Sequence, residues 1–114
     1  MQAKMIKSKI KIKSGDNLVL LNPASVVYIT NRESITLIYQ NDENMIEVPV
    51  SINELEKRLI TFFRIHNDYL INLEYLDHVS EKGNGYVIVG KRHKLPIDKN
   101  RVKILMDVLS GFTG

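Results

Sequence analysis

The sequence predicts a mainly β domain of short antiparallel strands with two short helices. Three observations carry that prediction. Apolar and polar residues alternate at period two through most of the chain, turn-forming clusters interrupt the alternation every few residues, and only two stretches show helical spacing. Strands and helices do not alternate as βαβ units, so the sheet should be antiparallel.

Ile6 to Lys13 places Ile6, Ser8, Ile10 and Ile12 on one side and Lys7, Lys9, Lys11 and Lys13 on the other, a half-buried strand with a lysine stripe. Ser14-Gly15-Asp16-Asn17 has turn chemistry, and Leu18 to Leu21 returns as the second arm of a hairpin. After Asn22-Pro23, the β-branched and aromatic run Val26-Val27-Tyr28-Ile29 predicts a buried strand, followed by a polar loop from Thr30 to Glu33. Ile35 to Gln40, the turn Asn41 to Asn44, and Met45 to Val48 form another hairpin whose ladder Pro49 ends. Ser51-Ile52-Asn53-Glu54 fits a capping box, and the helix it starts would bury Ile52, Leu55, Leu59 and Ile60 while Glu54, Glu56, Lys57 and Arg58 look outward.

The stretch "FFRIHNDYLIN" at 62 to 72 then sets two apolar strands around a polar knot, Arg64 to Asp68. Tyr75 to Val79 predicts a strand, Lys82-Gly83-Asn84-Gly85 a tight turn, Tyr86 to Val89 its return, and Lys94 to Ile97 a final strand after the turn Gly90 to His93. Asp98 is placed to cap a last helix burying Val102, Leu105, Met106 and Leu109.

A length of 114 residues with 44% hydrophobic content suits one domain, 1–114, with a core that needs no staples. The chain has no cysteine, which excludes disulfides and thiolate metal sites, and a reducing cytoplasmic setting is the expectation. No apolar run reaches the roughly 18 residues of a membrane span. The net charge of +3 is unevenly spread: residues 1 to 13 hold five lysines and no acid, and residues 82 to 103 hold seven bases against Asp98 alone. Residues 14 to 81 hold four bases and eleven acids. Such polarity suits a polyanionic partner on the basic segments, or equally a solvated lysine face.

Catalytic and metal chemistry find little support. His66, His78 and His93 lie far apart without metal-ligand spacing, so no cofactor or metal is expected. His66 with Asp68, or His78 with Asp77, has no accompanying nucleophile motif, and enzymatic activity is not expected. Gly83-Asn84-Gly85 lacks the signature of a phosphate loop and reads as a hairpin turn. The block "GKRHKLPIDKNRVK" at 90 to 103 is different. It puts Lys99 and Arg101 at the start of the last helix, where free N–H groups and the helix dipole already favour a phosphate. Helix-turn-helix and zinc-finger patterns are absent, and the aromatics sit in core patterns rather than on a platform for single strands.

"FFRIHNDYLINLEYLDHV" resembles the signature of the LytTR family of bacterial DNA-binding domains, matched here by Phe62, Phe63, Arg64, His66, Asn67, Tyr69, Asn72 and Leu73. "VVYIT" at 26 to 30, "SINELEKRL" at 51 to 59 and "KLPIDKNRVKIL" at 94 to 105 resemble further family elements in the family's order. The resemblance implies an elongated arrangement of small antiparallel sheets, about ten strands with two short helices. It also implies sequence-specific binding of duplex DNA through loops entering successive major grooves, with two copies on repeated sites. Such domains commonly form the output half of response regulators, behind a receiver domain in the parent protein. No receiver fits within 114 residues, so the expectation is an excised domain or a stand-alone transcriptional regulator.

Carried over position by position, the loop of Arg32 to Ser34 corresponds to one reading loop. Asn67 matches a base-contacting position in the central loop, with Arg64 and His66 as phosphate or positioning groups, and Lys99 with Asn100 matches the third contact region, beside Arg101. Asparagine suits base reading, because its amide offers a donor and an acceptor side by side to adenine. The plain structural alternatives pair Arg64 with an acid such as Glu47 or Glu74 and have Asn72 bond only backbone. Two departures from the family pattern stand out: Asp68 and Asp98 occupy positions where serine is usual. Aspartate can cap a turn or helix as serine does, but a carboxylate beside phosphates costs affinity unless Arg64, Lys99 or Arg101 neutralises it. The alternative reading keeps the fold as a protein-interaction module that binds a partner through its acidic middle segment.

Overall fold

The computed structural model describes residues 9–111. β1 (Ile10–Ser14) and β2 (Asn17–Leu21) make a two-stranded hairpin. β3 (Val26–Arg32), β4 (Ile35–Gln40), β5 (Met45–Val48), β6 (Phe62–His66) and β7 (Tyr69–Asn72) make a five-stranded antiparallel sheet in the order β5-β4-β3-β7-β6. β8 (Leu76–Ser80), β9 (Tyr86–Val89) and β10 (His93–Pro96) make a three-stranded antiparallel sheet in the order β10-β9-β8. Helix α1 (Ile52–Arg58) links β5 to β6, and α2 (Lys99–Ser110) follows β10. Among the described residues, ten strands in small antiparallel sheets and two α-helices, with extents of 44 × 35 × 24 Å, give the elongated mainly β architecture that the family resemblance implies.

Two hydrophobic clusters share the five-stranded sheet. One gathers Ile12 and Leu21 of the first hairpin, Ile52 and Leu55 of α1, and Val26, Ile29, Ile38 and Leu70 of the sheet. The other joins Val27, Ile65 and Ile71 to Val87, Val89 and Leu95 of the three-stranded sheet and to Val102 and Leu105 of α2. A bulge makes this division possible on β3: Val26 pairs with Gln40 and Tyr28 with Tyr39, leaving Val27 as an extra residue. Val26 and Ile29 therefore enter the first cluster while Val27 and Tyr28 enter the second. Tyr28 stacks on its cross-strand neighbour Tyr39 at 5.3 Å, and the His93 ring meets the Tyr39 ring at 4.4 Å, seating β10 on the larger sheet.

Helix α1 has only seven residues and would not persist alone. Full burial of Leu55 and near-full burial of Ile52 hold it, each side chain contributing about 1.5–3 kcal/mol. The Ser51 hydroxyl accepts from the Glu54 N–H at 3.1 Å, so the first half of the capping box forms. No bond from Glu54 back to the Ser51 N–H accompanies it among the described residues.

Several local expectations are corrected. Thr30 to Arg32 is strand rather than loop, because β3 continues to a two-residue turn at Glu33-Ser34 and Arg32 pairs with Ile35. Ile60 is 85% exposed, because α1 stops at Arg58 and the chain turns before helical spacing can bring Ile60 onto the buried face. Met106 is 42% exposed, next to the fully buried Leu105, so the buried stripe of α2 is narrower than its apolar spacing suggests. Asp98 occupies the cap position of α2 in extended backbone, but its side chain makes no capping bond. Ile6 to Ser8 of the predicted first strand lie outside the described residues, and the strand runs from Ile10.

Candidate nucleic-acid interface

Strand direction gathers three of the sequence-singled segments at one end of the five-stranded sheet. β3 runs toward its turn at Glu33-Ser34, and β7 starts beside it, with Thr30 opposite Tyr69. The ladder is extended by one bond beyond that pair, the Asn31 N–H donating to the Asp68 carbonyl at 3.2 Å. The tip carrying Arg32 and Ser34 therefore neighbours the turn Asn67-Asp68 between β6 and β7. The start of α2 joins them through β6: the Asp98 N–H donates to the Ile65 carbonyl at 2.9 Å, and Arg101 Nη1 donates to the Arg64 carbonyl at 2.8 Å.

Ile65 explains why β6 can serve both neighbours. Arg64 pairs with Leu70 and His66 with Tyr69, so Ile65 is the extra residue of a bulge. Its side chain is fully buried in the second cluster while its carbonyl turns to α2.

The named residues divide by exposure. Arg32, Ser34, Asn67, Lys99 and Asn100 are exposed, whereas Arg64, His66 and Arg101 are half-buried. The Arg64 side chain keeps only 11% of its surface. Its Nε donates to the His66 carbonyl at 2.8 Å, Nη2 to the Asn67 carbonyl, and Nη1 to both Asn53 Oδ1 at 2.9 Å and Glu56 Oε1 at 2.7 Å. The acid that pairs with Arg64 is thus Glu56, not Glu47 or Glu74. Asn53 and Glu56 were invisible as site residues in the sequence, since helical spacing merely assigned Glu56 to the outward face. Asn72, by contrast, is 4% exposed, and its amide bonds only backbone: Nδ2 to the carbonyls of Val26 at 2.8 Å and Pro23 at 3.3 Å, and Oδ1 from the Glu74 N–H at 3.0 Å.

His66 sits between the two aspartates. Its Nδ1 accepts from the Asp68 N–H at 3.1 Å, the Asp68 carboxylate lies 4.0 Å from the same nitrogen, and Asp98 Oδ1 lies 3.8 Å from Nε2. Arg101 Nε lies 3.8 Å from the other Asp98 oxygen. Asp98 is therefore partly compensated by Arg101. Arg64 is committed to Glu56, and neither aspartate has a capping side-chain bond among the described residues.

A second polar cluster lies at the opposite end of the sheet, beside the turn after β4. Arg92 donates to the Tyr39 hydroxyl at 2.6 Å and meets Glu43 at 3.1 Å, and the Lys91 N–H donates to the Asp77 carboxylate. The His93 imidazole titrates below its ordinary range, first because burial penalises its charged form and second because Arg92 repels it, Glu43 pulling the other way. The Tyr28 hydroxyl is pushed up, mainly by burial and then by Tyr39 and Tyr69. Among the described residues no group of three or more His, Asp or Glu side chains is placed to hold a metal ion, and no helix is long and apolar enough to cross a membrane.

Comparison with known proteins finds relatives of the chain. The family model described as LytTr DNA-binding domain matches residues 16–110. A protein of Oceanobacillus iheyensis named Sensory transduction protein LytT is 24% identical over 109 residues, a match covering 90% of this chain and 44% of that protein. The chain thus spans less than half the length of that relative. A solved LytTr DNA-binding domain from Bacillus cereus superposes with a TM-score of 0.73 over 90% of this chain and 96% of that one, at 16% identity, a likeness of fold.

Proposed function

The chain belongs to the LytTR family of DNA-binding domains, and from that premise we propose that it acts as one sequence-specific, duplex-binding domain of a transcriptional regulator. The observation that carries the reading is the convergence of the β3–β4 tip, the β6–β7 turn and the start of α2 at one end of the central sheet, tied by hydrogen bonds from Asn31 to Asp68 and from Asp98 to Ile65. Exposed Asn67 is the base reader, and Arg32, Ser34 and Asn100 supply further polar contacts. Lys99 meets phosphate at the helix start, where Asp98 leaves the first-turn N–H groups uncapped by its side chain. Arg64, His66 and Arg101 serve chiefly by shaping the loops, since their polar atoms are engaged with carbonyls, N–H groups and acids of the fold.

Two copies on repeated sites, and a receiver domain ahead of this one in a longer protein, extend the proposal; the greater length of the Oceanobacillus relative supports the second. Unbiased selection of duplexes, followed by affinity measurements across salt concentrations, tests it. If about six phosphates are neutralised, log affinity falls against log salt with a slope of about −0.9 per phosphate. A folded chain that retains no duplex, or a flat salt dependence on the selected site, would promote the protein-interaction reading.

A further inference from the structure

We infer that Asn53 and Glu56 of α1 are positioning residues for DNA recognition, acting through Arg64 to fix the turn that presents Asn67. The inference rests on the reading of that turn as a contact element, but the geometry beneath it belongs to the free protein.

A guanidinium offers five N–H donors in a rigid plane. In Arg64 the two halves of that plane face different parts of the fold. Nη1 is occupied by Asn53 and Glu56, both on α1, while Nε and Nη2 reach the carbonyls of His66 and Asn67 in the turn. The guanidinium is thus a bracket between helix and turn, with four bonds made and its side chain 11% exposed. Each bond has a charged donor and is stronger than a neutral pair. The bracket has firm ground on the helix side, because Ile52 and Leu55 bury α1 in the first cluster.

Glu56 supplies what the turn cannot. Carbonyls alone leave the cation uncompensated in a mostly buried place, where it would favour rotating out toward water. The carboxylate at 2.7 Å holds it inward, so that Arg64 spends its charge on the shape of the turn. Asn53 fixes the plane of the fork by accepting the second Nη1 hydrogen. Base reading by an asparagine amide tolerates only small errors of placement, and a second layer of bonds that locks the presenting backbone is what such accuracy needs.

Glu56 is 43% exposed on its side chain, so replacing it should leave the fold intact, which thermal denaturation would verify. The full chain is compared as wild type, Glu56→Ala, Asn53→Ala, Glu56→Gln and Lys99→Ala. In the free protein, amide exchange at Asp68 and Asn31, whose N–H groups report closure of the turn, should quicken about tenfold or more in Glu56→Ala, the scale of a lost charge-assisted bond, with Ile38 in the core unchanged. Glu56→Gln, which keeps an acceptor for Nη1, should fall between. On the selected duplex Glu56→Ala should lose about tenfold in affinity and lose less on base-substituted duplexes, so discrimination narrows. Its salt slope should stay that of the wild type, whereas Lys99→Ala reduces the slope by about 0.9. Asn53→Ala should show the same pattern in smaller degree. Unchanged exchange together with unchanged discrimination in both α1 variants overturns the inference, as does a loss of slope in Glu56→Ala matching that of Lys99→Ala. If the wild-type chain retains no duplex, the functional reading fails by itself, and the exchange arm alone decides whether α1 holds the turn.

Discussion

The Asp98 N–H donates to the Ile65 carbonyl at 2.9 Å, so the residue that opens the last helix hangs from the bulge that precedes the central turn. Ile65 is thereby fixed from two sides: its side chain fills the second cluster with full burial, and its carbonyl carries α2. Together with the bond from Arg101 to the Arg64 carbonyl, this residue sets the relative position of two of the three proposed contact segments.

Ile65→Ala should cost about 2–5 kcal/mol of stability, the range for truncating a well-packed isoleucine, and Ile65→Val about 0.5–1.5 kcal/mol. Urea denaturation gives both values. At temperatures where both variants are folded, Ile65→Ala should also lose DNA affinity, because the start of α2 shifts relative to Asn67. Retained affinity with lost stability would mean that the two segments bind independently.

Asn67 and Lys99 separate reading from anchoring. Asn67→Ala should cost about 1–3 kcal/mol on the preferred duplex and relax base preference, while leaving the salt slope alone. Lys99→Ala should weaken all duplexes alike and lower the slope by about 0.9. Competition binding on a panel of single-base variants distinguishes them, and equal losses on every sequence for Asn67→Ala would restrict that residue to backbone contact.

The sequence made visible what depends on local chemistry. Gly15 and the Gly83-Asn84-Gly85 turn announce their hairpins because left-handed backbone there favours glycine, and Gly15, Gly83 and Gly85 all have positive φ. "FFRIHNDYLIN" was legible as two core strands around an exposed turn, since Phe62, Leu70 and Ile71 are buried and Asn67 and Asp68 exposed. The turn at Glu33-Ser34 was not legible, because glutamate is an unusual residue at the positive φ of +56° found there. Nor was the partner of Arg64, which depends on how α1 packs across β6 and not on sequence spacing.

Glu33 is also a place to gain stability. Positive φ at Glu33 but not Ser34 is the sign pattern of a type II′ hairpin turn, whose first central position ordinarily takes glycine. Glu33→Gly should stabilise the chain by about 1 kcal/mol, the lower end of the left-handed penalty for residues with a Cβ. Thermal denaturation at constant pH checks the gain. A loss instead would show that the Glu33 side chain holds the tip through an interaction that outweighs its backbone strain.

Acid should weaken the far end of the sheet through His93. Its folded pKa is depressed below the ordinary 6.5 by burial against Tyr28 and Tyr39, then by Arg92, with Glu43 opposing. The unfolded chain therefore takes up the proton first, and the stability present above about pH 6.5 is lost as pH falls toward the depressed folded value. His93→Phe removes this titration and keeps a ring on Tyr39. Between about pH 7 and about pH 5 it should lose less stability than the wild type in denaturant titrations. Parallel losses would assign acid sensitivity to other groups.

Asp68 stands where the family signature that the sequence resembles has serine, and its geometry makes the departure electrostatic. The carboxylate is 54% exposed, lies 4.0 Å from His66 Nδ1, and has no capping bond among the described residues; the local turn bond comes from its backbone N–H. Asp68→Ser should therefore leave stability within about 0.5 kcal/mol of the wild type. On DNA it removes a negative charge beside Asn67, where a phosphate about 4 Å away would be repelled by about 1 kcal/mol in a water-like dielectric. Affinity should rise several-fold at low salt, and the gain should shrink as ionic strength shortens the screening length. Binding isotherms at two salt concentrations decide the matter. Weaker binding together with a stability loss of about 1 kcal/mol would instead show that the turn needs the carboxylate charge beside His66, since serine caps as well as aspartate does.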